Sequence, residues 1–377
     1  MTKAPRSGCR SCGERALETI LDLGPQPDPD WLLDREHPDP APEAPVILAI
    51  CGVCGLVQMH GTRPDGPLPP HGHASSTPSG DAWATVIRQA MRSMSPAVWD
   101  VDQSSGLPVD ALAAGASITV GSSSGGGKSA DLILAGHALA HTDDLDALVQ
   151  RIAGTLVPGG VVSIDFHHVL GLTQGQFDVI SHTHRSYLSL CSLDRVLERH
   201  GLRVVAARCV DDFGGTVRVL ATGDHDGTSI PDNGLEADEI RRIERTARVD
   251  EAAGYAGLAE RVRTACAELI EFLDEARRSG RTVVGYGASS RGTVLLNLAD
   301  ADAELLPFVV DRSEAKQGRR LPRSQIPIRP VAELERQRPD YVMILPWPSA
   351  NQIIRYLQDA LGAHTRYVMA LPHLEVL

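Results

Sequence analysis

The sequence has 377 residues, which is too long for one ordinary domain and long enough for two large units and a small one. Its formal net charge of -12 argues against nucleic acid as a partner. No apolar run approaches the roughly 20 residues that cross a bilayer, and no charged-then-apolar leader is present, which predicts a cytoplasmic protein with no membrane partner.

Two CxxC pairs, each followed by glycine, lie near the start of the chain: Cys9 with Cys12, and Cys51 with Cys54. Two such knuckles can place four thiolates around one zinc ion. Four sulfur ligands leave no position for water, so the predicted zinc is structural. The alternative is four unrelated buried thiols.

A first α/β unit follows a Pro/Gly/Ser-rich linker at residues 63–81. The pattern predicts a helix over 82–94 and a strand over 97–101. The strand runs into a turn that ends at Gly106, where a nucleotide cofactor lies in a doubly wound sheet. One glycine is a weak signal for such a site.

A second predicted strand, 117–120, runs into a glycine-rich turn that ends in Gly127-Lys128-Ser129. A P-loop would need its leading glycine at Ser122, and Gly121 comes one residue too early. The residues that follow, 131–135, predict a strand where a P-loop needs a helix. We therefore interpret the turn as a connection.

The rest of the unit alternates strands and helices and ends in two successive strands, which is typical of a methyltransferase-type sheet with an antiparallel last strand. The predicted elements are strand 131–135, helix 145–156, strand 161–166, helix 192–200, and strands 202–209 and 216–221.

The histidine loop (residues 176–187) lies between the predicted strand 161–166 and the next helix. It contains His182 and His184. Histidine titrates near neutral pH, so this loop is a candidate reaction centre. The alternative is a surface loop with solvated histidines.

A second α/β unit begins after charged, helix-periodic residues 234–279. The glycine turn (residues 285–292) follows a strand and opens a helix, a geometry that binds anions, and Arg291 would add a bidentate donor to a pyrophosphate. A nicotinamide site is the competing interpretation, with Asp311 as the acidic residue. Later strands are predicted at 341–345 and 366–369.

This ordered set of motifs resembles the sugar C-methyltransferases that act on nucleotide-linked 4-keto-deoxyhexoses. Besides the CxxC pairs, the matching segments are Ala140-His141, Phe177 to Ile180, Gly214 to Arg218, Gly285 to Gly292, Leu295 to Asn297, Asp311, Lys316 to Gly318, Ile326 to Ile328, and Leu345 to Trp347.

The resemblance implies that the middle sheet holds S-adenosylmethionine (SAM) and that the histidine loop deprotonates the carbon beside the ketone. It further implies that the carboxy-terminal sheet holds the sugar nucleotide, through Tyr286, Gly287, Ser289, Ser290, Arg291, Asn297, Asp311, Lys316 and Trp347.

The sequence departs from the family at the cofactor turn, where only a leading acid and Gly106 remain. After strand 117–120 the acidic residue for the cofactor ribose is absent, and a helix and a strand are missing. Each lost hydrogen bond costs about 1 kcal/mol. These losses predict that SAM does not bind, with Gly106 a remnant of its site.

In the histidine loop the family's Tyr-His-Glu-His is Ser181-His182-Thr183-His184, and Phe213 replaces another family histidine. The retained base favours a SAM-independent epimerase or isomerase of a nucleotide-linked keto-deoxysugar. Its base would be His184 and a second acid or base His182, oriented by Ser181, Thr183 and Asp212. The alternatives are a true SAM-dependent C-methyltransferase and an inactive sugar-nucleotide-binding partner.

The predicted fold class is α/β, in three units. These are a small zinc-binding module (1–75), a truncated methyltransferase-like doubly wound sheet (76–233) and a Rossmann-like sugar-nucleotide-binding sheet (234–377). A monomer or small homo-oligomer is expected.

Overall fold

The structure, a computed structural model, describes residues 8–34, 40–62, 64, 80–91, 96–102, 117–120, 129–223 and 235–377. Gly106, the turn at 121–128 and most of the predicted linker lie outside the described residues. Among the helices that are described, none is both long and apolar enough to cross a membrane.

The first sheet has four antiparallel strands in the order β1-β2-β3-β8. They are β1 (Leu17–Pro27), β2 (Glu43–Cys51), β3 (Val57–Met59) and β8 (Ser186–Tyr187). Strand β8 comes from the far end of the histidine loop. The sheet therefore joins the zinc module to a segment more than 100 residues away in sequence.

The second sheet has six strands in the order β5-β4-β6-β7-β10-β9, and only its last two pairings are antiparallel. This order confirms the prediction of a methyltransferase-type sheet. The strands are β4 (Ala97–Asp100), β5 (Ser117–Val120), β6 (Ala130–Leu134), β7 (Leu156–His167), β9 (Leu202–Val210) and β10 (Thr216–Gly223).

Strand β7 differs from its predicted start at Val161, because the Pro158-Gly159-Gly160 segment is part of the strand and not a separate turn. Gly159 has a positive φ of 79°, which lets the extended chain pass through this point. From Val161 to Phe166 every residue of β7 is buried, as expected for a central strand covered on both faces.

The connection from β5 to β6 spans residues 121–129 only. A complete βαβ crossover takes at least about 10–12 residues, so no further helix and strand fit between these two strands. The middle sheet is thus truncated at the edge where β5 lies, as the sequence predicted.

Helices cover the middle sheet, and two of them begin at side-chain caps. The Asp144 carboxylate accepts from the Ala147 amide, and Ser189 forms a capping box with Ser192. The helices are α1 (Gly80–Ala90), α2 (Ala138–His141), α3 (Leu145–Thr155), α4 (Leu170–Thr173) and α5 (Leu190–Arg199).

The third sheet has the order β13-β12-β11-β14-β15-β16 and is parallel except for β16. Its strands are β11 (Val283–Tyr286), β12 (Val309–Asp311), β13 (Ile328–Pro330), β14 (Tyr341–Ile344), β15 (Arg366–Met369) and β16 (Glu375–Val376). Helix α6 (Leu235–Ala247) packs against β9 of the middle sheet. The helices that accompany the third sheet are α7 (Leu258–Arg278), α8 (Ser290–Leu298), α9 (Ala332–Gln337) and α10 (Ala350–Leu361).

One hydrophobic core crosses between the first and third sheets. It contains Leu48 from β2, Phe177 from the histidine loop, Leu269 from α7 and Val309 from β12, all fully buried. The two sheets and the histidine loop therefore pack as one body. The predicted unit boundaries at residues 75 and 233 stay a prediction.

Candidate active site

The four knuckle cysteines converge, and their sulfur atoms all lie within 4.8 Å of one another. The Cys9 and Cys54 sulfurs are 3.5 Å apart, and those of Cys12 and Cys51 are 3.6 Å apart. Zinc–sulfur bonds of about 2.3 Å in a tetrahedron place the sulfurs about 3.8 Å apart, so the four thiols fit a structural zinc ion.

Each knuckle ends in a glycine with a left-handed backbone, φ 76° at Gly13 and 69° at Gly55. The amide of each glycine donates to the carbonyl of the first cysteine of its pair, at 2.9 Å. The pair is thereby folded back on itself, which brings both sulfurs to the same side. The glycine after each CxxC is thus a geometric requirement of the cluster.

The zinc module holds one end of the histidine loop. In the β3–β8 pairing, Val57 lies opposite Tyr187 and Gln58 opposite Ser186. Arg185 adds two bonds, because its carbonyl accepts from the Met59 amide (3.0 Å) and its guanidinium donates to the His182 carbonyl (2.9 Å). The loop is therefore an extension of the module's sheet.

The third sheet holds the other end of the loop through Asp178, whose side chain is 1% exposed. Arg291 donates to both carboxylate oxygens at 2.7 Å, and the Trp347 indole donates at 2.8 Å. The guanidinium also lies 4.8 Å from the centre of a Trp347 ring and donates to the Phe213 carbonyl at 2.5 Å. One arginine thus ties together three segments.

Four histidine rings meet between these two attachments, and together they form the histidine cluster (His137, His141, His167 and His184). The ring centres of His137 and His167 are 5.1 Å apart, those of His167 and His184 5.8 Å, and those of His184 and His141 5.1 Å. The cluster lies at the carboxyl ends of β6 and β7, the edge at which open α/β sheets bind ligands.

Phe213 closes one side of the cluster. Its ring meets His137 and His167 edge-on, with ring centres 5.6 Å and 5.9 Å apart. Its backbone is left-handed, with φ 54°, and its carbonyl is the group that accepts from Arg291. The ion pair at Arg291 therefore also fixes a wall of the histidine cluster.

Desolvation is the main cause that holds the pKa of His167 well below the usual 6.5, and nearby His137, Arg291 and His184 lower it further. Part of its surface is nevertheless exposed, whereas His137 and His184 are buried. His167 is thus a neutral imidazole at pH 7 that remains accessible from outside.

His141 is bonded to the histidine loop through its Nδ1 atom. Its Nδ1 lies 3.0 Å from the Thr183 carbonyl oxygen, which can only accept. Nδ1 therefore carries a hydrogen and donates it to this carbonyl. The hydroxyl groups of Thr183 and Ser181 bond to each other at 3.1 Å.

His182 points away from the histidine cluster. It is fully buried, and its Nε2 donates to the Ala44 carbonyl at 3.0 Å. Together with Val46 and Asn297 it borders a small void between the first and third sheets. The structure thus separates the two histidines of the loop, and a catalytic role for His182 stays a prediction.

The glycine turn is stabilised by bonds within the chain. The Gly287 amide donates to the Val310 carbonyl at 2.7 Å and the Ala288 amide to the Asp311 carboxylate at 2.8 Å. Lys316 donates to the Ala288 carbonyl at 2.7 Å. An anion at this turn would compete with Asp311, so pyrophosphate binding here stays a prediction.

Both serine hydroxyl groups of the glycine turn form hydrogen bonds within the chain. Ser289 caps α8 through the Gly292 amide at 3.1 Å, and Ser290 donates to Asp30 of the zinc module at 2.5 Å. Tyr286 is buried in the third sheet. Of the residues predicted to bind substrate, only Arg291 and Trp347 contact the histidine loop or the wall of the histidine cluster through the bonds described above.

Sequence reasoning missed His137, His167 and Asp178 as functional candidates. A signal for His167 was present, because His167-His168 directly follows the predicted strand 161–166, at the end where active-site residues occur. Gly106 lies outside the described residues, and so does the side chain of Asp212.

Comparison with known proteins identifies two of the three parts. The family model for the C-methyltransferase C-terminal domain matches residues 212–372, and a zinc-binding domain model matches residues 9–65. The chain is 31% identical over 252 residues to the C-methyltransferase NovU of Streptomyces niveus. The chain therefore carries a zinc-binding domain and a C-methyltransferase C-terminal domain.

The alignment with NovU covers 66% of this chain and 59% of NovU, so the chain spans about three fifths of that relative's length. Among solved structures, the mitomycin 7-O-methyltransferase MmcR is similar at 16% identity over 38% of this chain and 54% of its own, with a TM-score of 0.28. A SAM-dependent methyltransferase from Mesorhizobium loti is similar at 11% identity over 38% of this chain and 98% of its own, with a TM-score of 0.30. The fold assignment rests on the strand order of the middle sheet.

Proposed function

We propose that the chain is a C-methyltransferase family enzyme that removes a proton from the carbon beside the ketone of a nucleotide-linked keto-deoxysugar. The observation that carries this proposal is the position of His184. Its ring is buried in the histidine cluster, at the carboxyl edge of the middle sheet and between the two attachments of the histidine loop. A general base needs such a fixed position.

The chemistry at this position is enolate formation. The His184 imidazole accepts the proton, and the electron pair of the C–H bond moves toward the ketone oxygen. The neighbouring imidazoles, held in place by Phe213 and Arg291, keep bulk water away from the reacting carbon. These roles depend on residues that lie within the described part of the chain.

Methyl transfer to that carbon is the lead candidate for the second half of the reaction, because NovU is a C-methyltransferase and the matching domain models are of that family. When bound, SAM would supply the methyl group. The fit to SAM is incomplete at the β5 edge of the middle sheet. Only residues 121–129 separate β5 from β6, which is too short a connection for a further helix and strand.

Return of a proton, which would make the protein an epimerase or isomerase, is the second candidate. The truncation beside β5 favours it, because a sheet without its next helix and strand lacks part of the wall that surrounds a nucleoside cofactor. The comparisons support methyl transfer better than this alternative.

One incubation separates the candidates. The protein is mixed in D2O with dTDP-4-keto-6-deoxyglucose as the probe, with and without SAM. A methyl-transfer enzyme gives a product heavier by one methyl group only when SAM is present. Deuterium uptake beside the ketone without SAM reports the proton removal that both candidates share, and an epimerase also inverts that carbon. A protein that binds the probe but forms neither a methylated nor an epimerised product would contradict both candidates. The inactive sugar-nucleotide-binding partner would then be the remaining interpretation.

A further inference from the structure

His167 and His141 are the two partly exposed members of the histidine cluster. His167 ends β7, and its ring centre lies 5.1 Å from that of His137, 5.8 Å from that of His184 and 5.9 Å from that of Phe213. Two other histidines of this region form hydrogen bonds to protein acceptors. His141 bonds to the Thr183 carbonyl, and His168 bonds to the Glu244 carboxylate at 2.8 Å. Within the described residues, the ring of His167 has ring contacts and no hydrogen-bond acceptor from the protein.

We infer that His167 is a further catalytic residue, whose N–H donates a hydrogen bond to the ketone oxygen of the sugar while His184 removes the neighbouring proton. This assignment rests on the proposed function. The distance supports this assignment, because the ring centres of His167 and His184 are 5.8 Å apart. At this separation the two imidazoles can contact adjacent atoms of one substrate.

The step balances without another reactant. The C–H bond breaks, and its proton moves to the His184 imidazole. The electron pair becomes the carbon–carbon double bond of the enolate, and negative charge develops on the ketone oxygen. The N–H of His167 donates to that oxygen and keeps its own proton, so His167 acts as a donor and not as a proton-transfer group.

A neutral imidazole suits this role. The surroundings of His167 are rich in groups that disfavour a second positive charge, among them Arg291 and the other three histidines. When His184 takes the proton, a cation forms next to His167, and a second imidazolium there would be repelled. A neutral donor stabilises the enolate without that penalty, as in enzymes that use a neutral histidine as an electrophile.

The test uses two variants of the full chain, His167→Phe and His167→Gln. Phenylalanine keeps a ring against His137 and Phe213 but removes the donor, and glutamine keeps an N–H donor. The exposed His364, whose side chain is 70% accessible and which lies in the turn before β15, provides the control variant His364→Gln. Zinc content and thermal melting check that each variant folds.

The readout is the rate of deuterium incorporation beside the ketone of dTDP-4-keto-6-deoxyglucose, followed by NMR. Rates at several probe concentrations give kcat and KM. His167→Phe should lower kcat about 100-fold or more, the cost of removing one such donor, with KM changed less than about threefold. His167→Gln should recover at least about tenfold of that loss. A positioning role would instead give equal losses in both variants.

Two results would overturn the inference. The first is a His167→Phe variant whose kcat stays within about threefold of the wild type. The second is a glutamine variant as slow as the phenylalanine variant. If the wild-type protein itself exchanges no deuterium, the proposed function fails, and the role of His167 falls with it. The variants therefore distinguish failure of the inference from failure of the function.

Discussion

Asp178 and Arg291 form a bidentate ion pair across 113 residues of sequence, with both donor–acceptor distances at 2.7 Å. Asp178 belongs to the histidine loop, and Arg291 opens the first turn of α8. The sequence predicted Arg291 to bind pyrophosphate. In the structure its guanidinium holds the loop and the Phe213 wall, so its principal contacts position the histidine cluster.

Removing one partner of this pair should destabilise the protein. Asp178→Ala leaves the Arg291 guanidinium partly buried without its carboxylate, and breaking such a pair costs about 3–5 kcal/mol. Urea unfolding measures the loss. A double variant, Asp178→Leu with Arg291→Met, should recover most of the stability, because apolar groups of similar volume replace the pair. An Asp178→Ala variant as stable as the wild type would contradict this account.

Gly55 should tolerate alanine poorly because it has both a positive φ and a crowded Cβ position. A Cβ there would lie 2.5 Å from the Cβ of Asp250, whereas at Gly24, with a similar φ of 68°, it would meet nothing within 4 Å. Both alanine variants carry the backbone penalty of about 1 kcal/mol. Gly55→Ala should cost at least about 1 kcal/mol more, and equal melting temperatures would refute the crowding.

Zinc should be required for the structure of the first sheet. Cys54→Ser should lose bound zinc in metal analysis and should weaken the β3–β8 pairing, with faster amide exchange at Tyr187. Cys266→Ser, outside the cysteine cluster, is the matched control and should keep one zinc per chain. A Cys54→Ser protein that retains the metal would show that the four thiols are unrelated.

Acid should destabilise the protein partly through His167. Its pKa is lowered in the folded state, so the unfolded chain binds the proton more readily. Its stabilising contribution is therefore complete above about pH 6.5, the unfolded value, and is lost as the pH falls from there toward the lower folded value. His167→Phe should flatten the fall in unfolding free energy between about pH 6.5 and 5, measured by urea titration at each pH. An unchanged pH slope would contradict the assignment.

Local sequence patterns were sufficient for the cysteine cluster and the strand order of the middle sheet. Both depend on short-range features, namely CxxC spacing with a following glycine, and the alternation of strands with helices. The loss of a helix and a strand after β5 was also visible, because the distance along the chain to β6 is short.

The histidine cluster could not be assembled from the sequence alone. The pairing of β6 with β7 brings His137 and His167 together, and the attachments of the histidine loop to the other two sheets add His184. The same holds for Asp178 with Arg291 and for the pairing of β8 with β3, which depend on contacts between sheets. His182 shows the opposite case, since it is close to His184 in sequence but bonds to the Ala44 carbonyl and not to the histidine cluster.

The most direct test of the account measures deprotonation by His184. Wild-type protein and a His184→Asn variant of equal zinc content are incubated in D2O with dTDP-4-keto-6-deoxyglucose, and the hydrogen beside the ketone is followed by NMR. The account predicts deuterium incorporation by the wild type and a loss of at least about 100-fold in the variant. Exchange at the same rate in both proteins would contradict the assignment of the histidine cluster as the reaction centre.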